Sequence, residues 1–556
     1  MAEKFGEART VSTYGSLDRI TTLTKEWLQE CEESHPRCAN GLDLILPHRV
    51  LDVSSFETTG HIYLLETAGM PGAYIALSHC WGKHQPIKTT KESLSRFKAG
   101  IPTQSLPKTF LDATIVTNEL GLRYLWIDCL CILQDSEQDW EEQSAQMADI
   151  YANSYLTLGA SHATDSSMGL ECQRKVFSEE GKFPEFRPVE SYEIPGSNQA
   201  FGETIFVRHS QAQAHSDIVS KADIEKFSFI PRDEVEMQRR APLLSRAWAF
   251  QERLLSPRIL HCHSGELIWE CKTGIACECK GLNQRNTTYS KVELSKISQM
   301  ALPEVFDLWY SYVEKYSRLQ LTYSSDCLPA LSGPASWISR RISSSNDVQY
   351  FAGLWHRDFA LGLLWSVDKR GDTTTIRRRS PYQAPTWSWA SVHGPIVYRQ
   401  EFRRMIRPDF KIHDVFCKTE GKNVFGKVSS GFFTCRGTVL PGRVVALNGS
   451  VGPEYILSIE GLRCFLWRNG PVGFSPDAYS WLPGPEQLVH ALVISFNGWL
   501  VEGLVLRQCE TASQEYTRLG HFLASEPYPE PPDDGYPRPP DDGVRIEQFS
   551  KTIKVL

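Results

Sequence analysis

The sequence lacks the local signatures of several common enzyme classes. It contains no P-loop, no GxGxxG dinucleotide fingerprint, no GxSxG nucleophile elbow and no HExxH zinc-protease motif. These motifs supply a phosphate cradle, an activated serine or a pair of metal ligands, so nucleotide-binding, hydrolase and zinc-protease functions lose their usual sequence evidence. No single motif therefore identifies a reaction.

A long apolar run and a strong basic charge are also missing. No stretch approaches the roughly 20 apolar residues of a membrane span, and the opening segment MAEKFGEARTVSTYGSLDRI has no apolar core of signal-peptide length. We therefore expect a cytoplasmic protein without a membrane span. The net charge of −7 gives no extended basic field, so nucleic acid is not an expected partner.

The composition is that of a folded protein with more than one domain. The chain has 556 residues, 41% of them hydrophobic, which is too long for one core and too apolar for a disordered chain. Its 15 cysteines form no compact framework, so buried thiols outside disulfides are expected. The pattern along the chain predicts four parts: an N-terminal extension (1–60), an α/β domain (61–290) with an insertion at about 163–235, a helical region (291–380), and a β-rich region (381–556) with a Pro/Asp/Gly loop at 527–543.

The α/β domain is predicted from alternating strands and helices. AYIALSHC (73–80), RYLWIDCLCIL (123–133) and SYLTLGASH (154–162) have strand character, and amphipathic helical stretches separate them. The middle run is apolar at nearly every position, which is typical of a strand covered on both faces. This order predicts a parallel sheet, with RYLWIDCLCIL near its centre.

Polar residues follow each of these strands. They are Ser78, His79 and Trp81 after the first, Gln134 and Asp135 after the second, and Ser161 and His162 after the third. Ligands of open parallel sheets bind beyond the carboxyl ends of the strands, so these residues define either a binding edge or ordinary strand-end and capping positions.

Two acids need an explanation. Asp128 stands inside the predicted central strand, where a carboxylate requires a partner such as Arg246 or backbone donors, and it is either a structural or a functional acid. In SRAWAFQER, Glu252 lies one helical turn after Trp248, with Gln251 alongside, so an aromatic ring and a carboxylate share either a binding face or a packing face.

The residues that resemble zinc ligands have unsuitable spacing. They are His261, Cys262, His263, Cys271, Cys277 and Cys279. Strand alternation would place them on two faces and no CxxC pair is present among them, so we predict no metal site.

Three stretches together resemble the signature blocks of the fungal heterokaryon incompatibility (HET) domain. They are YIALSHCWG (74–82), YLWIDCLCILQDSEQDWEEQSAQMADIYANSYLTLGAS (124–161) and SRAWAFQERLLSPRILHC (245–262). The resemblance implies that residues 61–290 form a HET domain with a parallel-sheet, TIR-like (flavodoxin-like) fold. It also implies a role in fungal non-self recognition and programmed cell death, through self-association or contact with a protein partner.

The resemblance to TIR domains implies an enzymatic alternative, since some TIR domains cleave the nicotinamide–ribose bond of NAD with a glutamate. The alternatives are a NAD glycohydrolase, with NAD as substrate rather than cofactor, or an activity in fungal secondary metabolism. Under these interpretations the catalytic acids would be Asp128, Glu252 and Asp135. The ligand-binding residues would be Ser78, His79, Trp81, Gln134, Arg246, Trp248 and Gln251.

Overall fold

The structure is a computed structural model that describes residues 11–38, 44–83, 87–174, 190–193, 204–207, 212–218, 234–282, 290–342, 349–369, 376–398, 406–448, 453–459, 474–478, 486–497, 500–510, 512–525 and 549–556. The chain divides into two units, Met1–Gln299 and Met300–Leu556. Much of the predicted insertion and the whole Pro/Asp/Gly loop at 527–543 lie outside the described residues. Among the described residues, no helix has the length and apolar character needed to cross a membrane.

The first unit alternates strands and helices. Its described helices are α1 (Leu17–Ser34), α2 (Phe56–Thr59), α3 (Leu94–Ala99), α4 (Lys108–Glu119), α5 (Asp128–Cys131), α6 (Glu137–Ala152), α7 (Ala212–Ile218), α8 (Glu234–Arg240), α9 (Ala247–Leu255) and α10 (Ser290–Ser295). Its described strands are β1 (Tyr14–Gly15), β2 (Arg49–Asp52), β3 (His61–Glu66), β4 (Tyr74–Ser78), β5 (Ile101–Pro102), β6 (Tyr124–Trp126), β7 (Leu156–Gly159), β8 (Cys172–Gln173), β9 (Glu190–Glu193), β10 (Thr204–Val207), β11 (Arg258–Cys262), β12 (Leu267–Cys271) and β13 (Ile275–Cys277).

Nine of these described strands form one sheet in the order β13-β12-β11-β7-β4-β6-β2-β3-β5. The four central strands, β11, β7, β4 and β6, are parallel, as the three predicted strands require. The strands on either side are antiparallel, so the sheet is mixed and the prediction of a parallel sheet holds only for its centre. Residues 1–60 contribute β2 to this sheet.

Capping residues mark the start of α6 and the end of α4. In α6, Ser136 is the N-cap and its hydroxyl accepts a hydrogen bond from the Asp139 N–H. After α4, Gly121 has a φ of +73°, a left-handed conformation that favours glycine at the end of a helix. Side chains of α1, α4 and α6 pack with those of the central strands in one hydrophobic core. Strands β4, β7 and β11 are buried along their whole length, which explains the largely apolar sequences of β4 and β7.

The order of the central strands locates a crevice. The chain passes from β4 to β6 on one side, and then to β7 on the other side of β4. In open α/β sheets, such a reversal at the carboxyl ends of the strands is where ligands bind. The residues after Ser78, the last residue of β4, therefore lie at the position that fold geometry favours for a site.

The second unit begins with helices and ends in β-structure. Its described helices are α11 (Leu302–Tyr316), α12 (Ser332–Ile342) and α13 (Phe359–Gly362). Its described strands are β14 (Tyr350–Phe351), β15 (Leu354–Trp355), β16 (Trp365–Val367), β17 (Arg377–Arg378), β18 (Val392–His393), β19 (Ile396–Tyr398), β20 (Lys411–Thr419), β21 (Val428–Asn448), β22 (Pro453–Ile459), β23 (Phe474–Pro476), β24 (Glu486–Asn497), β25 (Leu500–Gln508), β26 (Glu515–Ser525) and β27 (Ser550–Val555).

The predicted β-rich C-terminal region is confirmed. The described strands β20 to β27 form an eight-stranded sheet, and β21 pairs with several of them. Strands β24 and β25, which are consecutive in the chain, pair antiparallel. Alternate residues of these strands form a separate hydrophobic core of the second unit.

Candidate functional site

The loop after β4 begins the candidate site, and a glycine allows it to turn. Gly82 has a φ of +70°, and a Cβ at this position would lie 2.4 Å from the Cβ of Asp165. Any other residue would therefore displace the backbone that carries Trp81.

A buried acid lies directly under this loop. Helix α9 brings Glu252 to the end of β4, where the Ser78 hydroxyl donates a short hydrogen bond to Glu252 Oε2. Both side chains are buried. Burial raises the pKa of Glu252 to about 7, although the Ser78 hydrogen bond and the charge of Arg246 oppose the increase. Glu252 is therefore poised between its charged and neutral forms near neutral pH, which suits a general acid or base.

Tyr151 on α6 also borders this acid, and the sequence analysis did not assign it to the site. Its hydroxyl donates to the Leu77 carbonyl at 3.2 Å, and its ring packs edge-on against Trp126. Burial, followed by the charges of Glu252 and Asp128, raises the pKa of Tyr151 well above its usual value. The helical stripe of apolar residues in α6 indicated packing, and nothing in that stripe distinguished this tyrosine.

Asp128 lies outside the strand in which the sequence analysis placed it. Strand β6 ends at Trp126, and Asp128 is the first residue of the short helix α5. Its carboxylate accepts hydrogen bonds from the indole N–H of Trp81 (Oδ2, 2.7 Å) and from the backbone N–H of Cys129 (Oδ1, 2.6 Å). Its side chain is 20% exposed, so the expected buried strand acid is a half-buried, hydrogen-bonded acid at the start of a helix.

His79 and Arg246 lie between the two acids. Burial lowers the pKa of His79, despite the nearby charge of Asp128, so its ring is neutral at pH 7. The ring packs edge-on against Phe110, and its Nε2 has no hydrogen-bond partner within the described part of the chain. Arg246 donates from Nη1 to the His79 carbonyl at 2.6 Å. Arg246, proposed from the sequence as a partner of Asp128, therefore holds the backbone beside Asp128.

We call Ser78, Trp81, Asp128 and Glu252 the sheet-edge cluster. The ligand atoms of His79, Asp128 and Cys129 lie within 4.8 Å of one another. The oxygens of Asp128 already accept two N–H groups, and we assign no metal there.

The remaining predicted residues are arranged differently. Asp135 is exposed and accepts the backbone N–H of Lys91 at 2.9 Å, and Gln134 donates to the Ile132 carbonyl at 3.0 Å. Trp248 is half-buried against the hydrophobic core, and Gln251 is buried in α9. Among the described residues, no hydrogen bond joins Asp135 or Gln134 to Glu252.

The end of β7 forms a separate buried chain of hydrogen bonds. The Ser161 hydroxyl lies 3.0 Å from His261 Nδ1, and His261 Nε2 lies 2.9 Å from Glu270. This order resembles a nucleophile, base and acid, but all three side chains are at most 1% exposed. A substrate cannot reach Ser161 in this structure, so the arrangement is structural.

The fold and site define an α/β domain whose polar residues meet at the crevice of its central strands. Residues 74–252 match the model of the family described as Heterokaryon incompatibility protein (HET). The match spans the loop after β4, Asp128 and Glu252, and the chain therefore contains a HET domain, as the three sequence blocks indicated. Searches of curated proteins and of solved structures found no significant match.

Proposed function

We propose that this chain is a signalling protein of the heterokaryon incompatibility class, acting through self-association or contact with a protein partner. The observation that carries the proposal is the buried hydrogen bond between Ser78 and Glu252. It joins the first and third sequence blocks inside the domain. It also pairs Glu252, the acid at the end of β4, with a residue of the chain itself. Trp81 and Asp128 join the first and second blocks in the same way.

These contacts give the signature residues a role in holding the domain together. A signalling domain requires a rigid scaffold, whereas an enzyme requires an acid that substrate can reach. The net charge of −7 favours a protein partner over nucleic acid. Fungal non-self recognition, programmed cell death and a cytoplasmic location are parts of this proposal that come from the family.

We also propose that the four parallel strands form a TIR-like, flavodoxin-like core. If the four strands β4, β6, β7 and β11 are numbered 1 to 4 in chain order, their order across the sheet is 2-1-3-4. This is the order that begins the flavodoxin-like arrangement, in which the ligand lies beside the first strand.

An enzymatic function is the second candidate, because the pKa of Glu252 is raised to about 7 at this crevice. A NAD glycohydrolase needs a carboxylate to stabilise the oxocarbenium-like transition state. Glu252 would supply it if the loop carrying Trp81 moved to admit the ribose. An activity in fungal secondary metabolism would use the same acid.

NAD consumption by the purified chain separates the two candidates. Wild-type protein, Glu252→Gln and the exposed control Asp135→Asn would be incubated with NAD for hours, and released nicotinamide quantified by chromatography. Circular dichroism would verify that each variant is folded. We expect no turnover by any of the three proteins. Turnover by wild type and Asp135→Asn, but not by folded Glu252→Gln, would overturn the signalling proposal in favour of the enzyme.

The signalling proposal also has a positive test. Sedimentation velocity over a concentration series, with and without lysate from a filamentous fungus, should show concentration-dependent assembly or a bound protein that mass spectrometry identifies. Expression of the chain in that fungus should reduce viability. A chain that stays monomeric, binds no protein and leaves viability unchanged would contradict the proposal.

A further inference from the structure

Four side chains that are typical zinc ligands converge away from the sheet-edge cluster. They are Cys31, His35, Cys38 and Cys271, which we call the helix–hairpin cluster. Only Cys271 among them was a candidate ligand from the sequence, because the others lie far away in the chain. We propose that the helix–hairpin cluster binds one structural zinc ion.

Local structure aligns the first three ligands. Cys31 lies in the last turn of α1, and the backbone N–H of His35 donates to the Cys31 carbonyl at 3.1 Å as the helix ends. A 3-10 turn, Pro36–Cys38, follows, in which the Cys38 N–H donates to the His35 carbonyl at 2.8 Å. These two turns bring side chains at a C-x3-H-x2-C spacing to one point.

The fourth ligand comes from the end of β12. Cys271 Sγ lies 3.4 Å from His35 Nδ1, across a separation of 236 residues in the chain. Two backbone N–H groups, those of Thr273 and Gly274, donate to the same sulfur at 3.4 and 3.3 Å. Such outer contacts orient a metal-bound thiolate and stabilise its charge.

The distances fit tetrahedral coordination. The four ligand atoms all lie within 4.8 Å of one another. Zinc bonds of about 2.3 Å to sulfur and about 2.0 Å to nitrogen would hold the ligand atoms roughly 3.5 to 3.8 Å apart, so a small contraction completes the site. Three thiolates and one imidazole are a common ligand set of structural zinc sites.

Burial and charge also fit a structural ion. The three cysteines are at most 1% exposed, so no open position is available for a substrate. Zinc with three thiolates has a net charge of −1. The buried Arg258 donates from Nη2 to the Cys38 carbonyl at 2.9 Å, which brings a compensating positive charge to the site.

The proposed ion would connect segments on both sides of the HET match. Cys31, His35 and Cys38 precede residue 74, and Cys271 follows residue 252. The ion would therefore link the end of α1 to β12, one of the antiparallel strands of the sheet. All of its ligands would lie outside the segment that matches the HET family.

Metal content per chain tests this proposal. Full-length protein purified from zinc-supplemented cells would be analysed by inductively coupled plasma mass spectrometry. Cys38→Ser and Cys271→Ser should each bind one zinc fewer than wild type. Cys131→Ser, which changes a buried thiol in α5 outside the cluster, should keep the wild-type content. A Cys271→Ser variant with wild-type zinc content, or a wild-type chain that binds none, would overturn the proposal.

A spectroscopic measurement on the wild type avoids the risk that a variant fails to fold. X-ray absorption of the wild-type zinc protein should show zinc bound mainly by sulfur, with nitrogen completing the shell. A shell of oxygen and nitrogen only, or a disulfide between cluster cysteines by mass spectrometry, would overturn the proposal.

A second cluster on the same hairpin stands on separate contacts. Its members are His215, Glu266, Cys277 and Cys279, which we call the α7–hairpin cluster. The Cys277 and Cys279 sulfurs lie 3.4 Å apart, and His215 Nε2 lies 3.5 Å from Cys279 Sγ and 2.8 Å from Glu266 Oε1. We infer that this cluster also binds one zinc ion, with two sulfur, one nitrogen and one oxygen ligands.

The same metal assay distinguishes the two clusters. Cys277→Ser should lose one zinc relative to wild type, and the double variant with Cys271→Ser should lose two. Unchanged zinc in Cys277→Ser would overturn the second site without affecting the first.

Discussion

The sheet-edge cluster and the helix–hairpin cluster are both polar groups within the first unit, but their neighbours differ in kind. In the sheet-edge cluster, each carboxylate accepts a hydrogen bond from a side chain. The Ser78 hydroxyl donates to Glu252, and the Trp81 indole N–H donates to Asp128. In the helix–hairpin cluster, the near neighbours of each sulfur include other sulfurs and an imidazole nitrogen. Such groups can all bind a metal but are weak hydrogen-bond partners for one another. Hydrogen bonds alone thus satisfy the carboxylates of the sheet-edge cluster. The sulfurs of the helix–hairpin cluster, of which Cys271 also accepts two backbone N–H groups, are instead arranged to share a cation.

Removal of the proposed zinc should give the largest effect and tests this comparison most severely. Structural zinc contributes its binding energy to folding, so chelation should lower the free energy of unfolding of the first unit by more than about 4 kcal/mol. Thermal melting of the wild type with and without a chelator measures this loss. Cys271→Ser/Cys277→Ser, which lacks a ligand of each cluster, should show no further loss with chelator. If chelator leaves the melting temperature of the wild type unchanged, the helix–hairpin cluster does not differ from the sheet-edge cluster in needing a metal ion.

Glu252→Gln should change the pH dependence of stability. The pKa of Glu252 is raised from 4.5 to about 7, so the folded chain binds this proton more tightly than the unfolded chain. Its stabilisation is present below pH 4.5 and is lost as pH rises through about 7, a change of about 3 kcal/mol. Glu252→Gln should lack this part of the slope.

Urea unfolding between pH 4.5 and 8 measures the difference between the variant and wild type. The comparison cancels the titration of other groups, such as His79, whose pKa is lowered. Equal slopes in the two proteins would mean that Glu252 is not buried as the structure shows.

The sequence predicted the elements of the sheet-edge cluster better than its contacts. Apolar runs located β4, β6 and β7, and an open sheet with parallel central strands then placed Ser78 at its edge, but Asp128 was predicted inside the central strand. The boundary of β6 was wrong because WIDCLC is apolar enough to continue a strand, whereas Asp128 instead begins a helical turn and accepts the backbone N–H of Cys129 there. Local patterns cannot separate these alternatives, since both bury the same apolar side chains.

The helix–hairpin cluster was missed for a different reason. Cys31, His35 and Cys38 provide three ligands at helical spacing, a signal that was present in the sequence. The fourth ligand is distant in the chain, and only the position of β12 beside the end of α1 brings it close. Sequence spacing identifies metal sites when all ligands are local and fails when the fold supplies one of them.

A double-mutant cycle of Trp81→Phe and Asp128→Asn would measure the energy of the hydrogen bond between these two side chains of the sheet-edge cluster. A hydrogen bond to a charged acceptor contributes about 1.5–3 kcal/mol. Because Asp128 is 20% exposed, we expect a coupling energy of about 1–2 kcal/mol. Chemical unfolding of wild type, both single variants and the double variant gives this value. A coupling near zero would show that the indole N–H does not stabilise the acid.

The smallest effect is expected at Asp135. This residue shares a sequence block with Asp128 but not the sheet-edge cluster. Asp135 follows β6 as Asp128 does, but it is exposed, and its two oxygens accept the backbone N–H of Lys91. Asp135→Asn keeps an oxygen acceptor there, so the free energy of unfolding should change by less than about 0.5 kcal/mol by chemical unfolding. A loss comparable to that of Asp128→Asn would extend the sheet-edge cluster to Asp135. A small loss would show that Asp135 lies outside the sheet-edge cluster, which contains Trp81 and Glu252.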